Sequence, residues 1–244
     1  MLYAVALNFY GGFMTQYYKI AGLTVAMDSF GRTVEQAKPY LAEFFDNPDI
    51  VICSNWQTLK QSQPHLSDED CEYLMSGGSF YQQLLKFDGM LLHSSAVVKD
   101  GKAYLFTAPC GIGKSTHTKL WIENFKDAYI LNDDKPALRL ENGIFYAYGT
   151  PWSGKYDKSC NVGVPVAGIC VLRRGKENKI EPYGGRKALY DMLEQTIRSK
   201  SSTLQGELLE TLDKLMTNVP VWKMECNMEK EAAYLSYHTM SGGA

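Results

Sequence analysis

The chain has 244 residues, of which 45% are hydrophobic and 21% are charged. This length suits one large domain or two small ones, and the composition is typical of a globular protein. The formal net charge of -2 excludes a basic field over the whole molecule. Neither nucleic acid nor an anionic membrane surface is therefore expected as a partner.

The sequence favours a cytoplasmic location. The longest apolar runs, such as 166–172, are far shorter than the ~20 residues of a membrane-spanning helix. The opening residues, MLYAVALNFYGG, lack the basic start and the small-residue cleavage site of a secretory signal. The 6 cysteines are scattered and form no CxxC pair, which favours reduced thiols over a disulfide framework or a zinc site.

Residues 1–87 are predicted to form a small α+β lobe. Short apolar runs at 24–27 and 49–53 occur with a polar helical stretch near 34–45. A later helix is predicted at 72–86, with a break at its adjacent glycines, Gly77 and Gly78. Its start is indicated by Ser67, which can cap the helix, and by the acidic residues that follow and suit the positive end of a helix dipole.

Two strand-like runs, 91–98 and 102–107, are rich in valine, leucine, tyrosine and phenylalanine. They are separated by Lys99-Asp100-Gly101, and an Asp-Gly step between such runs is a strong hairpin signal because both central residues of a type I′ turn need positive φ. If Asp100 and Gly101 are the turn residues, Lys99 pairs with Lys102.

The remaining pattern alternates strands and helices. Helices are predicted at 115–125, 187–198, 203–216 and near 228–239, and strands at 128–131, 137–140, 144–148, 164–172 and 219–224. Such a mixture around a strand–loop–helix core implies an α/β domain over residues 88–244.

A glycine-rich loop joins the strand at 102–107 to the helix at 115–125. Its sequence, APCGIGKS at 108–115, fits the relaxed Walker A pattern [AG]xxxxGK[ST]. Gly111 and Gly113 let the backbone turn so that N–H groups point at phosphate oxygens. Lys114 reaches the β- and γ-phosphates of a nucleoside triphosphate such as ATP, and the hydroxyl of Ser115 coordinates Mg²⁺.

The helix that follows presents its positive N-terminus to the same anion. The predicted nucleotide-binding residues are Ala108, Pro109, Cys110, Gly111, Ile112, Gly113, Lys114, Ser115 and Thr116. The alternative is a strand-to-helix turn that binds nothing.

The predicted hairpin also brings a histidine to the mouth of the loop. Counting outward from the turn along both strands puts His93 opposite Ala108. There His93 could contact the γ-phosphate or position the acceptor. The alternative is a histidine that fills a strand face, and a shift of one residue in the turn would point it to the other face.

Asp133 and Asp134 follow the strand-like run 129–131, at the position where strands of α/β sheets end and ligands bind. Phosphoryl transfer needs a carboxylate to hold Mg²⁺ and often a second to orient or deprotonate the attacking hydroxyl. Adjacent acids on an extended chain point to opposite sides, so these two could divide the roles. The alternative is a solvated turn.

Two further groups of residues are weaker candidates. The turn GTPWSGK at 149–155 carries Trp152, Ser153 and Lys155 and could close over phosphates or the acceptor. The alternative is that Trp152 fills the edge of the hydrophobic core. Arginines that could neutralise charge in the transition state are Arg173, Arg174 and Arg186.

Taken together, these motifs resemble the HPr kinase/phosphorylase family, which shares its nucleotide-binding core with ATP-dependent phosphoenolpyruvate carboxykinase. The matching string is HSSAV…DGKAYLF…GKSTHTKLW…LNDDKPAL…GTPWSGK, as in shorter HPr-kinase-like bacterial proteins. The resemblance implies a P-loop core with a mixed sheet. It also implies that Lys114 and Ser115 bind phosphate and Mg²⁺, that His93 is catalytic, and that Asp134 is the base on a serine hydroxyl. We assign the metal to Ser115 and Asp133, and the sequence leaves open whether Asp134 holds it in place of Asp133.

The leading hypothesis is a kinase that uses ATP and Mg²⁺ to phosphorylate a hydroxyl, most plausibly a serine of a protein or peptide. The second hypothesis is a nucleotide-binding accessory or regulatory protein without transfer activity, since no clear match exists for a further acidic metal ligand of true HPr kinases. A carboxykinase-like enzyme acting on a small carboxylic acid is a third. The sequence leaves open whether the reaction reverses and whether the chain forms a homo-oligomer.

Overall fold

The computed structural model describes residues 9, 10, 13–154 and 156–242. The expectations for the opening residues and for Lys155 therefore fall largely outside the described chain. Within these ranges, no helix combines the length and the apolar character needed to cross a bilayer.

The chain before residue 88 folds into a small sheet flanked by helices. The elements are β1 (Phe9–Tyr10), β2 (Phe13–Met14), β3 (Gln16–Ile20), β4 (Leu23–Asp28), α1 (Arg32–Ala37), β5 (Ile50–Cys53), α2 (Trp56–Ser62) and α3 (Asp68–Leu84). Strands β3, β4 and β5 lie in that order in the small sheet, with β3 antiparallel and β5 parallel to β4.

The first helix is shorter than predicted. Helix α1 ends at Ala37, a single 3-10 turn covers Lys38–Tyr40, and the chain becomes extended at Leu41. Pro39 explains the difference, because proline lacks the N–H that would continue the helical hydrogen-bond pattern. The predicted helix near 34–45 is thus wrong in its second half.

Helix α3 begins as predicted but does not break. The hydroxyl of Ser67 accepts a hydrogen bond from the amide of Asp70 at 3.0 Å, which caps the helix. The helix then continues through Gly77, so the predicted break there is wrong. A Cβ at Gly77 would lie 2.8 Å from Cδ1 of Trp152. The glycine therefore permits close packing rather than a turn.

Trp152 is a core residue, which is one of the two roles predicted for it. It is 1% exposed, its ring stacks on Phe80 with centroids 4.9 Å apart, and its Nε1 donates to the hydroxyl of Ser76 at 3.1 Å. We expect Trp152→Ala to lower the free energy of unfolding by about 3–5 kcal/mol. At this chain length that corresponds to a melting temperature lower by about 6–20 °C.

Thermal unfolding followed by circular dichroism measures this change. Trp152→Phe is the matched control, because it retains a ring against Phe80 and should lose much less. A melting temperature of Trp152→Ala within about 2 °C of the wild type would contradict the core role.

The rest of the chain forms a larger, curled mixed sheet with helices against it. The strands are β6 (Gly89–Leu91), β7 (Ser94–Lys99), β8 (Lys102–Thr107), β9 (Tyr129–Asn132), β10 (Ala137–Glu141), β11 (Ile144–Tyr148), β12 (Gly163–Arg174), β13 (Lys179–Pro182) and β14 (Val221–Cys226). Along one path they lie in the order β6-β10-β11-β12-β8-β7-β9, and β14 pairs with β12 and β13. The helices are α4 (Lys114–Asn124), α5 (Gly185–Leu193), α6 (Ser202–Asn218) and α7 (Lys230–Met240).

Strand direction brings several chain segments to one edge of this sheet. β12 runs parallel to β8 and to β14, so the carboxyl ends of all of these strands point the same way. β7 runs antiparallel to β8 and to β9, so its amino end and the carboxyl end of β9 lie at that edge too. Residues far apart in sequence therefore meet there.

The predicted Asp-Gly hairpin is confirmed. Lys99 pairs with Lys102, and Asp100 and Gly101 have φ of 51° and 71°. The single strand predicted at 91–98 is wrong, however. It is interrupted at Leu92 and His93, because β6 pairs with β10 whereas β7 pairs with β8 and β9.

Elsewhere the predicted elements occur with shifted ends. α5 ends at Leu193 rather than near 198, and the following segment turns so that the carbonyl of Gln195 accepts a hydrogen bond from the amide of His93 at 2.7 Å. Strand β13 and helix α2 were not predicted. Both are short and largely polar, so they carry little periodic apolar signal.

Hydrophobic packing continues across the predicted boundary at residue 87. One buried cluster contains residues of the small sheet, such as Val25 and Ile50, together with Phe80 of α3. The same cluster includes Ala137 and Trp152 from the larger part of the chain. The division into 1–87 and 88–244 stays a prediction.

Candidate functional site

The glycine-rich loop between β8 and α4 turns at two glycines with positive φ. Gly111 and Gly113 have φ of 80° and 129°, conformations that side chains other than glycine rarely adopt. No heavy atom lies within 4 Å of a Cβ built at either position. The glycines are thus required by backbone conformation and not by crowding. α4 begins at Lys114 and directs its N-terminus at the same space.

Lys114 lies inside this loop. It is 9% exposed, and its Nζ donates to the carbonyl oxygen of Ala108 at 2.9 Å. Burial lowers the pKa of Lys114, and the nearby carboxylate of Asp134 opposes that effect. Because this ammonium group is poorly solvated and has one carbonyl partner, the binding of a polyanion beside it lowers its free energy.

Arg174 holds the loop from outside. Its guanidinium, at the carboxyl end of β12, donates to the carbonyl oxygens of Gly111 and Ile112. The arginine therefore supports the shape of the loop. Neutralising charge in a transition state, the role predicted for Arg174, is different from this contact with the loop carbonyls.

His93, Asp134 and Lys135 form a polar group beside Lys114. Nε2 of His93 lies 2.8 Å from Oδ1 of Asp134, and Nζ of Lys135 donates to Oδ2 of the same carboxylate. Burial alone would raise the pKa of Asp134. The hydrogen bond from His93 and the charge of Lys135 outweigh burial and hold that pKa well below its usual range. Asp134 is therefore an ionised acceptor at neutral pH.

Asp133 points away from this group, as alternation along an extended chain requires. Its Oδ1 accepts from the amide of Gly154 at 2.5 Å and its Oδ2 from the amide of Tyr156 at 3.2 Å. Burial raises the pKa of Asp133, and these amide hydrogen bonds partly offset the effect. A Cβ at Gly154 would approach Oδ2 of Asp133 to 3.0 Å, so glycine allows the loop to close on the carboxylate.

Asp133 lines a cleft of about 590 Å³ together with Ser115, Thr116, Lys119 and Lys158. We name this space the Asp133 cleft. The two predicted metal ligands, Ser115 and Asp133, thus lie in the same cleft, on one flank of the N-terminus of α4.

The other flank of that helix N-terminus opens into a second cleft, of about 480 Å³. We name it the His117 cleft. Its lining residues include Ile112, Thr116, His117, Leu120, Leu172 and Met228. Thr116 lines both clefts, so it marks the boundary between them.

His117 was not among the predicted site residues. It is 2% exposed, and burial lowers its pKa to about 4, so the ring is neutral at neutral pH. The helical period offered a signal, because residues three or four apart share a helix face and His117 precedes the buried Trp121 by four positions.

The small N-terminal part of the chain holds the loop that carries Gly154. Arg32 of α1 forms an ion pair with Asp157 at 2.9 Å, and Gln36 donates to the hydroxyl of Ser153 at 3.3 Å. The hydroxyl of Tyr73 in α3 donates to the carbonyl of Ser153 at 2.5 Å. These contacts fix the amides that in turn hold Asp133, and sequence patterns carry no sign of them.

The other two predicted arginines are Arg173, which lies beside Ala108 and Pro109 of the loop, and Arg186 of α5. Arg173 donates to Asp191 at 2.6 Å. Arg186 lies near the start of α5, at the opposite end of that helix from Gln195, which contacts His93. No cluster of three or more His, Cys, Asp or Glu side chains that could hold a metal occurs in the described part of the chain.

Comparison with known proteins places the chain in a family. No curated protein matches it. Among solved structures, the Hpr(Ser) kinase/phosphatase from Coxiella burnetii has 15% sequence identity and a TM-score of 0.36, and the match covers 62% of this chain and 95% of that chain. The family model described as "SynChlorMet cassette protein ScmC" matches residues 65–242, which is more than half of the sequence. The chain therefore belongs to the ScmC family.

Proposed function

We propose that the protein is an ATP- and Mg²⁺-dependent phosphotransferase of the HPr-kinase-like type, which phosphorylates a serine hydroxyl of a protein or peptide. The observation that supports this most is the meeting of Lys114, Asp133 and the His93–Asp134 pair at one edge of the sheet. The proposal includes a P-loop kinase-like domain at 88–244, a smaller lobe at 1–87, and a cytoplasmic setting.

The residues present suit a Mg²⁺ ion that arrives with a nucleotide. Mg²⁺ in kinases is bound by one or two protein oxygens, substrate phosphates and water, so a dedicated cluster of acidic ligands is not required. The hydroxyl of Ser115 and the carboxylate of Asp133 would hold it. When bound, Mg²⁺ neutralises charge on the β- and γ-phosphates.

Residues of the chain itself bind the phosphates and orient the acceptor hydroxyl. The loop amides and Lys114 bind the phosphates, and Asp134 accepts a hydrogen bond from the serine hydroxyl and orients it. The serine Oγ forms a bond to the γ-phosphorus as the bond from that phosphorus to the β–γ bridging oxygen breaks, and ADP leaves. The hydroxyl proton goes to Asp134.

The low pKa of Asp134 makes it a weak base, so we assign it mainly an orienting role. This is compatible with phosphoryl transfer, because the transition state is loose and the nucleophile keeps its proton until late. His93 keeps the carboxylate ionised and in place.

The second candidate, a nucleotide-binding protein without transfer activity, is favoured because the described residues contain no cluster of three or more His, Cys, Asp or Glu side chains that could hold a metal. One experiment separates the two. The full chain is incubated with Mg²⁺, ATP labelled at the γ-phosphate, and serine-containing peptides, each paired with its Ser→Ala version.

Acid-stable label on the serine peptides alone supports the kinase. ATP that binds but keeps its label in the presence of every peptide supports the accessory protein. A folded protein that does not bind Mg-ATP contradicts both.

A further inference from the structure

One peptide group connects Tyr73 with Asp133. The carbonyl of Ser153 and the amide of Gly154 belong to the same peptide unit, which is planar and trans. Its carbonyl oxygen accepts from the hydroxyl of Tyr73 at 2.5 Å, and its N–H donates to Oδ1 of Asp133 at 2.5 Å. The two groups of a trans peptide point in opposite directions. The hydroxyl that holds the carbonyl therefore also fixes the direction of the amide toward the carboxylate.

The carboxylate of Asp133 is oriented by two amides and still has room for a metal ion. Its second oxygen, Oδ2, accepts from the amide of Tyr156 at 3.2 Å, in the same loop as Gly154. Each carboxylate oxygen has two lone pairs, so one hydrogen bond to each leaves a position for a further bond. The side chain lines the Asp133 cleft together with Ser115. Contacts behind a metal ligand strengthen metal binding because they hold the ligand in place before the ion arrives.

The ring of Tyr73 supports the same loop by a second route. The guanidinium of Arg32 lies over this ring, with Cζ 4.2 Å from the ring centroid, within the range of a cation–π interaction. Arg32 donates in turn to the carbonyl of Gly154 at 3.3 Å and to Asp157 at 2.9 Å. The hydroxyl and the ring of one buried side chain thus hold two successive carbonyls of the loop, those of Ser153 and Gly154.

Helix α3 gives Tyr73 a fixed position relative to the loop. One face of this helix packs on the turn that leads into the loop: the hydroxyl of Ser76 accepts from Nε1 of Trp152 at 3.1 Å, and Phe80 stacks on the same ring. Gly77 lets the helix approach Trp152 closely. The spacing of three to four residues places these positions on the same helix face as Tyr73. A continuous helix therefore anchors the hydroxyl.

We propose that Tyr73 is a positioning residue for Mg²⁺, whose hydroxyl presents the carboxylate of Asp133 to the ion through the Ser153–Gly154 peptide. Helix α3 thereby becomes part of the metal site although it supplies no ligand. This inference rests on the proposed function, in which Ser115 and Asp133 hold the metal.

The quantity that tests the inference is the increase in ATP affinity that Mg²⁺ provides. We define the metal gain as the dissociation constant of ATP in EDTA divided by that in excess Mg²⁺, both measured by isothermal titration on the full chain. This measurement needs no phosphoryl transfer. Asp133→Asn is the reference, because it replaces the proposed charged ligand with a neutral side chain and should lose most of the metal gain.

Tyr73→Phe removes the hydroxyl and keeps the ring beneath Arg32. We expect it to lower the metal gain about tenfold, since loss of a contact behind a metal ligand typically costs at least that factor in metal affinity. The dissociation constant of ATP in EDTA should not change, because Lys114 and the glycine-rich loop are untouched. A residue with only a structural role would weaken ATP binding equally in both buffers.

Tyr81→Phe is the matched control. Tyr81 lies about two turns further along the same face of α3 and is as buried as Tyr73. Its hydroxyl donates to the carbonyl of Lys135, which also accepts from the hydroxyl of Thr150 at 2.9 Å. Tyr81→Phe should keep the full metal gain. Arg32→Ala, at a partly exposed position, should lower the gain in the same direction and tests the inference if Tyr73→Phe does not fold.

A full metal gain in folded Tyr73→Phe would overturn the inference, as would equal weakening of ATP binding in both buffers or an equal loss in Tyr81→Phe. In each of these cases, a lost gain in Asp133→Asn would leave the proposed function standing. A wild type that binds ATP equally with and without Mg²⁺, or an Asp133→Asn protein with a full gain, would overturn the inference and the proposed metal site. Failure of the folded wild type to bind ATP in either buffer would overturn the proposed function as well.

Discussion

Replacing Lys114 with alanine is expected to remove most of the affinity for Mg-ATP. The ammonium group is buried inside the loop and is held by one carbonyl oxygen, so it is placed to meet the phosphates without a large rearrangement. Removing one partner of a buried, hydrogen-bonded charge pair costs about 2–5 kcal/mol. The dissociation constant measured by isothermal titration should rise roughly 30-fold to several thousand-fold.

Lys102→Ala is the matched control for this substitution. Lys102 is exposed and lies at the opposite end of the same strand, where it pairs with Lys99 in the hairpin. It should bind Mg-ATP as the wild type does. Unchanged affinity in a folded Lys114→Ala protein would show that the loop does not bind phosphate, and the proposed function would be lost.

Asp134→Asn is expected to separate binding from turnover. The substitution keeps the size of the side chain but removes the charge that faces His93 and Lys135. Because the proposed role of Asp134 lies in orienting and deprotonating the acceptor hydroxyl, kcat for serine phosphorylation should fall about 10²–10⁴-fold. The dissociation constant of Mg-ATP should change far less, since Asp134 contacts neither flank cleft.

Steady-state kinetics of peptide phosphorylation measures kcat, and isothermal titration with Mg-ATP measures the dissociation constant. Asp100→Asn is the control, because Asp100 is an exposed carboxylate that also pairs with a lysine, at the tip of the hairpin. If Asp134→Asn keeps a wild-type kcat, another group must orient and deprotonate the acceptor hydroxyl. His93, the hydrogen-bond partner of Asp134, is then the next residue to substitute.

The N-terminal part of the chain contributes to the geometry of this site. The contacts from Arg32, Gln36 and Tyr73 reach the loop whose amides hold Asp133. Asp133 is therefore positioned by residues from both parts of the chain. A glycine-rich loop and a pair of aspartates would not be enough by themselves to define that geometry.

Local patterns allowed several features to be predicted from the sequence. The Asp-Gly turn, the cap at Ser67 and the strand–loop–helix around Lys114 depend on adjacent residues whose backbone preferences are strong. His93 was predicted to approach the loop by counting along the hairpin. It does lie beside Thr107, whose hydroxyl donates to its carbonyl at 2.9 Å.

Other features could not be read from adjacent residues. The break between β6 and β7 exists because those strands pair with different neighbours. α3 continues through Gly77 because Trp152, from a distant turn, occupies the space that a side chain would fill. The imidazole of His117 lies 3.0 Å from the hydroxyl of Ser236, which is 119 residues away in sequence.

By itself, the sequence determined a glycine-rich loop with a lysine at its end, a hairpin and a pair of acids, because turn geometry and side-chain chemistry are local properties. Only the tertiary structure decided which carboxylate faces Ser115, which faces His93, and which residue of α3 holds the Ser153–Gly154 peptide. Those outcomes depend on strand order and on contacts between segments far apart in the chain, and a pattern of neighbouring residues does not record them.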